Sequence, residues 1–109
     1  MILTPMVIAQ SCSVPNHDVT VLQAVKPEYP DSARDLQLGP ATVLVQVVVD
    51  TNGNVERAQI TQSSHNMAID RAALRAARAS QYEPRVIDCN AVEGTYVFRA
   101  DFAAPTPTP

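Results

Sequence analysis

The chain of 109 residues has no tryptophan, and aromatic residues make up only 5% of it. A close-packed core must therefore be built mainly of Val, Ala, Leu and Ile, within a hydrophobic content of 46% that is ordinary for a globular domain. No apolar run approaches the ~20 residues that a helix needs to cross a bilayer, so no transmembrane segment is expected. Cations are in the minority, 8 Lys and Arg against 11 Asp and Glu, and a net charge of -3 argues against general nucleic-acid binding. There are only two cysteines, Cys12 and Cys89, and neither belongs to a C-x-x-C pair, so a zinc or redox motif has no local support. They read either as two buried thiols or as one disulfide tying the N-terminal lead to the segment before the last strand. The disulfide is our expectation, and it would place the protein outside the cytoplasm.

The length allows one domain with one modest core. We divide the chain into a lead over residues 1–17, a folded domain over 18–103 and a Pro/Thr tail over 104–109. The lead opens "MILTPMVIAQSC", apolar but without Lys or Arg. It reads as a secretory-signal remnant or as an ordinary extended lead-in. Gln10 and Ser11 make a poor approach to a lipidated Cys12. The tail, "PTPTP", cannot join a hydrogen-bonded ladder.

Within the domain, residues 18–25 alternate weakly and suggest an extended or edge segment. Pro27 and Pro30 then stop it. Pro30 suits the first turn of a helix, where its missing N–H costs nothing, and Asp31 suits the positive helix start. Tyr29, Ala33 and Leu36 share a face, and Gly39-Pro40 ends the run. Residues 41–50, "ATVLVQVVVD", form the clearest strand, with Val43, Val45, Val47 and Val49 on one side. Asn52-Gly53 predicts a hairpin through the positive φ angles a tight turn requires, and the return strand over 55–61 breaks alternation as a bulge would.

A second helix follows over "MAIDRAALRAARASQY", capped by Ser64 or Asn66, with Asp70 in its first turn. Ile69, Ala72, Ala73, Ala76 and Ser80 form a narrow face able to lie close against a sheet. Arg71, Arg75 and Arg78 line the opposite side. Pro84 ends this region, and "GTYVFRADF" is the last strand. The order strand, hairpin, strand, helix, strand puts the Val-rich strand in the centre and makes its two neighbours parallel to each other. The fold expected is α+β, two helices packed on one face of a three-stranded antiparallel sheet, with residues 94–102 at an edge.

Nothing in the sequence supports catalysis, since no Ser, Cys or carboxylate has a nucleophile-and-base context. "DTNGNVE" spaces Asp50, Asn52, Asn54 and Glu56 like part of a calcium loop, but the hairpin accounts for every one of these residues. His17 and His65 lack ligand partners at useful spacing. No metal and no cofactor are expected. The arginine stripe reads as a solvated helix face or, secondarily, as a contact for an acidic partner.

Taken together, "PEYPDSA", "VLVQVVVDTNGNVERAQI", "IDRAALRAARASQYEP" and "GTYVFRADF" resemble, in order and spacing, the C-terminal domain of TonB-family energy transducers. The resemblance covers residues 26–102. It rests on Tyr29-Pro30, Gly53, Asp70, Tyr82 and Pro84 as structural motif positions, and it implies that the Tyr29 ring packs against the domain body at the entry to the first helix. It implies a non-enzymatic, periplasmic or otherwise exported domain without a small-molecule substrate. Such a domain grips an extended peptide, the TonB box, of an outer-membrane receptor or other envelope partner in energy-coupled transport. Strand addition would then involve Thr95, Tyr96, Val97, Phe98, Arg99, Ala100 and Asp101. The alternative is an envelope assembly module that forms a homodimer through the same edge. The family's membrane helix and Pro-rich spacer are not among these residues. Ser80 stands where the family often has a large aromatic, which thins the core there, and the cysteine pair is not a general family trait.

Overall fold

A computed structural model describes residues 13–31 and 40–103. Its centre is the Val-rich strand, β2, spanning Ala41–Val49. Strict alternation puts Val43, Val45, Val47 and Val49 on one face, and all four are fully buried. Burying each side chain is worth about 1.5–3 kcal/mol, so this face alone commits the strand to the middle of the core. On one side β2 pairs antiparallel with the return strand β3, Val55–Gln62, and on the other with the last strand. The ladder with β3 shifts register between Leu44 and Val45 and again between Val48 and Val49, confirming a bulged return strand.

The β2–β3 turn differs in detail from the expected tight turn. Gly53 donates to the Asp50 carbonyl at 3.0 Å, and Asp50 donates to the Asn54 carbonyl at 2.8 Å. Only Gly53 in this loop has a positive φ, +86°. This is a three-residue loop closed by a glycine bulge, so Asn52 needs no left-handed conformation. The Asp50 carboxylate fixes the loop by accepting the Asn52 and Asn54 N–H groups, at 2.9 and 2.8 Å.

The helix α1 spans Met67–Ala79, and it is the one helix among the described residues. The first expected helix, entered at Pro30 and Asp31, lies mostly on residues 32–39, outside those described, so of the two helices expected on the sheet one is seen. Asn66 caps α1, its side-chain oxygen accepting the Ala68 and Ile69 N–H groups at 2.9 and 3.1 Å. The buried face is Ile69, Ala72, Ala73, Ala76 and Ala77, small enough for close approach to β2 and β3. The helix stops earlier than its sequence pattern suggests. Ser80 is already extended, and Tyr82, expected at the helix end, belongs to a short strand, β4, Gln81–Glu83.

β4 pairs antiparallel with the first strand, β1, Thr20–Gln23, outside the main sheet. A further hairpin joins β5, Arg85–Ile87, to β6, Asn90–Val92. These two small ladders were not expected from the sequence. The main sheet is completed by β7, Gly94–Phe102, giving the order β3-β2-β7 with the valine strand central, as expected.

Candidate functional site

The expected docking residues all lie on β7, and its alternation sorts them. Phe98, Ala100 and Phe102 are buried against the core and Tyr96 is half-buried, whereas Thr95, Val97, Arg99 and Asp101 are exposed. Among the described residues β7 pairs with β2 alone, so its other edge carries no ladder. The pairing runs unbroken from Ala41 opposite Phe102 to Val49 opposite Gly94. The contrast with β3 is physical: two register shifts interrupt that strand's ladder, and bulges of this kind spoil an edge as a template, while β7 keeps an unbroken register and so a regular repeat of outward N–H and C=O groups. Val97, 54% exposed, is the large apolar side chain this strand leaves in solvent.

Beside this edge runs a groove of about 330 Å³. One wall is β7 from Tyr96 to Asp101; the other comes from Val21 and residues 24–27. The second wall is set by pairing of β1 with β4 and by one anchor, the Val25 N–H, which donates to Ser80 Oγ at 2.9 Å. Ser80 Oγ itself donates to the Ala76 carbonyl at 2.7 Å. Ser80, only 7% exposed, therefore joins the helix end to the groove wall, and the core is not simply thinned at this position. Sequence reasoning missed this wall because no local pattern marks it; it exists only through tertiary pairing.

On the outer side of β7, Asp101 accepts from Thr42 Oγ1 at 2.8 Å and from Arg99 Nε at 3.0 and 3.1 Å. These hydrogen bonds, Thr42's first and then Arg99's, hold the Asp101 carboxyl below the usual carboxylate range.

The motif residues have structural roles. Tyr29 stacks edge-on against Phe102, ring centroids 6.3 Å apart, fixing the chain entry at one end of the groove. Tyr82 donates to the Ala77 carbonyl at 2.6 Å and lies 5.7 Å from the Tyr96 ring, and burial pushes its phenol up to about 12. Asp70 holds the turn before α1 through Ser63 Oγ at 2.5 Å, Ser64 Oγ at 2.7 Å and the Ser64 N–H at 2.9 Å. Burial pushes its carboxyl upward, but these hydrogen bonds outweigh that and leave it below the usual range. A Cβ on Gly53 would meet the Tyr82 carbonyl oxygen at 2.6 Å, so the hairpin tip rests directly on β4. Pro84 separates β4 from β5, and Pro30 leads toward residues outside those described. Cys89 lies in the β5–β6 turn, and Cys12 falls outside the described residues.

These features define the class: an α+β domain on a three-stranded antiparallel sheet with one regular, open edge beside a groove. Residues 25–103 match the family described as Gram-negative bacterial TonB protein C-terminal, and the chain belongs to that family. It is 30% identical over 86 residues to the protein TonB of Xanthomonas campestris pv. campestris, in strain B100 and equally in strain ATCC 33913. The match covers 79% of this chain and 38% of each relative, so the chain spans well under half the length of the curated relatives it matches. The solution NMR structure of the Pseudomonas aeruginosa TonB CTD has the same fold, with a TM-score of 0.63 at 22% identity, covering 84% of this chain and 91% of that one.

Proposed function

We propose that the domain is a non-enzymatic docking unit of the periplasm. It takes an extended segment of an outer-membrane transporter or other envelope protein onto the open edge of β7, in energy-coupled transport. The observation that carries this reading is the unbroken β2–β7 register beside a groove, in a sheet whose other edge is bulged. An added strand would satisfy the free N–H and C=O groups of β7, and its side chains would meet Tyr96 and Phe98 on one side and Val97 and Arg99 on the other. No described helix is long and apolar enough to cross a membrane. We also propose that Cys12 and Cys89 form a disulfide, in keeping with an oxidising compartment.

The test is amide NMR of the full chain titrated with receptor-derived peptides. Shifts concentrated on residues 94–102 are the expected result; shifts clustering on Arg71, Arg75 and Arg78 would move the site to the helix face. A second reading is favoured by the exposed Val97 on a straight edge: pairing of β7 with its copy in a homodimer. Concentration-dependent sedimentation without any response to peptide would select it.

A further inference from the structure

The segment that carries the groove wall is fastened to the domain at His17. Its backbone exchanges hydrogen bonds with Val86 of β5, at 3.1 and 2.9 Å, and β1 follows at Thr20. The imidazole of His17 lies between two oxygens. Nδ1 is 2.8 Å from the Asp18 carbonyl oxygen, and Nε2 is 3.6 Å from Glu83 Oε1 on β4. The same carboxylate accepts from Thr20 Oγ1 at 3.4 Å, and Thr20 stands opposite Glu83 in the β1–β4 register. Ring and carboxylate thus close the start of the ladder that sets Val21 and residues 24–27 along the groove.

Both ring nitrogens face atoms that can only accept. A neutral imidazole carries one N–H and one lone pair, so either tautomer sets a lone pair against one of these oxygens. The imidazolium donates from both nitrogens and brings a positive charge to the Glu83 carboxylate. Of the other charged groups at this junction, Asp18 Oδ1 pairs with Arg85 Nε at 3.4 Å. Asp88 joins through its backbone N–H, held by Asn16 Oδ1 at 2.8 Å. The side chains of His17 and Glu83 are 25% and 46% exposed, so solvent screens their attraction to the scale of a surface ion pair. We propose that His17 is a proton-operated clasp: protonation of its ring fastens the wall segment to β4, and so strengthens docking at β7. The docking half of this rests on the site proposed above. The clasp is closed below the ordinary histidine range, about pH 6.5, and opens as pH rises through it.

The experiment follows amide hydrogen exchange of the full chain at about pH 5.5 and about pH 7.5, either side of the histidine range, corrected for intrinsic rates. It compares the native chain with His17→Gln and Glu83→Gln; between native and His17→Gln every other titrating group is shared and cancels. At the β1 amides and the Val25 N–H of the native chain, protection rises about two- to five-fold at the lower pH, the range of an exposed ion pair. Either substitution removes the rise, while unchanged protection of β2 and β7 reports an intact fold. A capped peptide of alternating Thr and Val has no titrating group. It binds the native chain more tightly at the lower pH and His17→Gln equally at both. No rise in protection, or a rise that survives His17→Gln, overturns the clasp. If protection follows His17 but peptide affinity stays flat, the link to docking is wrong and the clasp serves the wall alone. If no peptide perturbs β7 at either pH, the docking edge fails, and the exchange data still decide the clasp.

Discussion

Gly53 shows how one residue can be fixed by two independent demands. Its φ of +86° closes the loop, and its missing Cβ leaves room for the Tyr82 carbonyl. Gly53→Ala should lower stability by about 1–3 kcal/mol, the usual cost of a strained non-glycine backbone position, read as a shifted denaturant midpoint with unchanged slope. The first demand was legible in "TNGN"; the second was not, because β4 arrives from 28 positions or more along the chain. Asp70 gives a prediction in pH. Its folded-state carboxyl titrates below its unfolded value, so it contributes stability above the unfolded range near 3.8, lost as pH falls through the folded value. Asp70→Asn should flatten acid unfolding in that window. Equal acid sensitivity of the variant and native proteins, followed by circular dichroism, would count against the Ser63–Ser64 hydrogen bonds as its cause. Ser80 was the residue least readable in advance, since its value lies in a backbone N–H contributed by Val25.

Elements long enough to show a period were readable: the valine alternation of β2, the small-residue stripe of α1 and the alternation of β7. The three-residue strands β4, β5 and β6 were not, being too short for any period and stabilised by partners distant or local that no pattern announces. The β5–β6 turn is a case in point. Asp88 and Cys89 take φ of 49° and 66°, a left-handed pair for which Asn-Gly is the usual signal. On α1, Ala73 is fully buried against β2, and Ala73→Leu should cost about 1–3 kcal/mol through overpacking. A neutral unfolding midpoint would contradict the close helix–sheet approach. On β7, successive N–H groups point to opposite edges. Of Val97→Pro and Phe98→Pro, one should weaken peptide binding while sparing the fold and the other should break the ladder to β2. Both variants folding and binding like the native chain would remove β7 as the docking strand.

For the molecule as a whole, the groove depends on a strap that begins far from it. His17 exchanges backbone hydrogen bonds with Val86 at 3.1 and 2.9 Å, and Asn16 Oδ1 accepts the Asp88 N–H at 2.8 Å. From there the chain enters β1, pairs with β4, and reaches the Val25 anchor that sets the wall opposite β7. Each attachment is modest, a net 0.5–1.5 kcal/mol for a typical hydrogen bond, about the scale of thermal fraying for a chain segment near a terminus. A Cys12–Cys89 disulfide would close a long loop at the point where the strap begins, contributing about 4 kcal/mol in the chain-entropy account. Two effects then belong to one bond. Reduction, or replacement of both cysteines by serine, should lower the melting temperature. It should also weaken peptide binding at β7, because a strap free at its start holds Val25 and Lys26 less firmly. Mass spectrometry of protein from its native compartment decides the premise: two free thiols there would end it. If the bond is present but its loss lowers the melting temperature without changing peptide affinity, the strap stabilises the fold while Val25 and Ser80 alone position the groove wall.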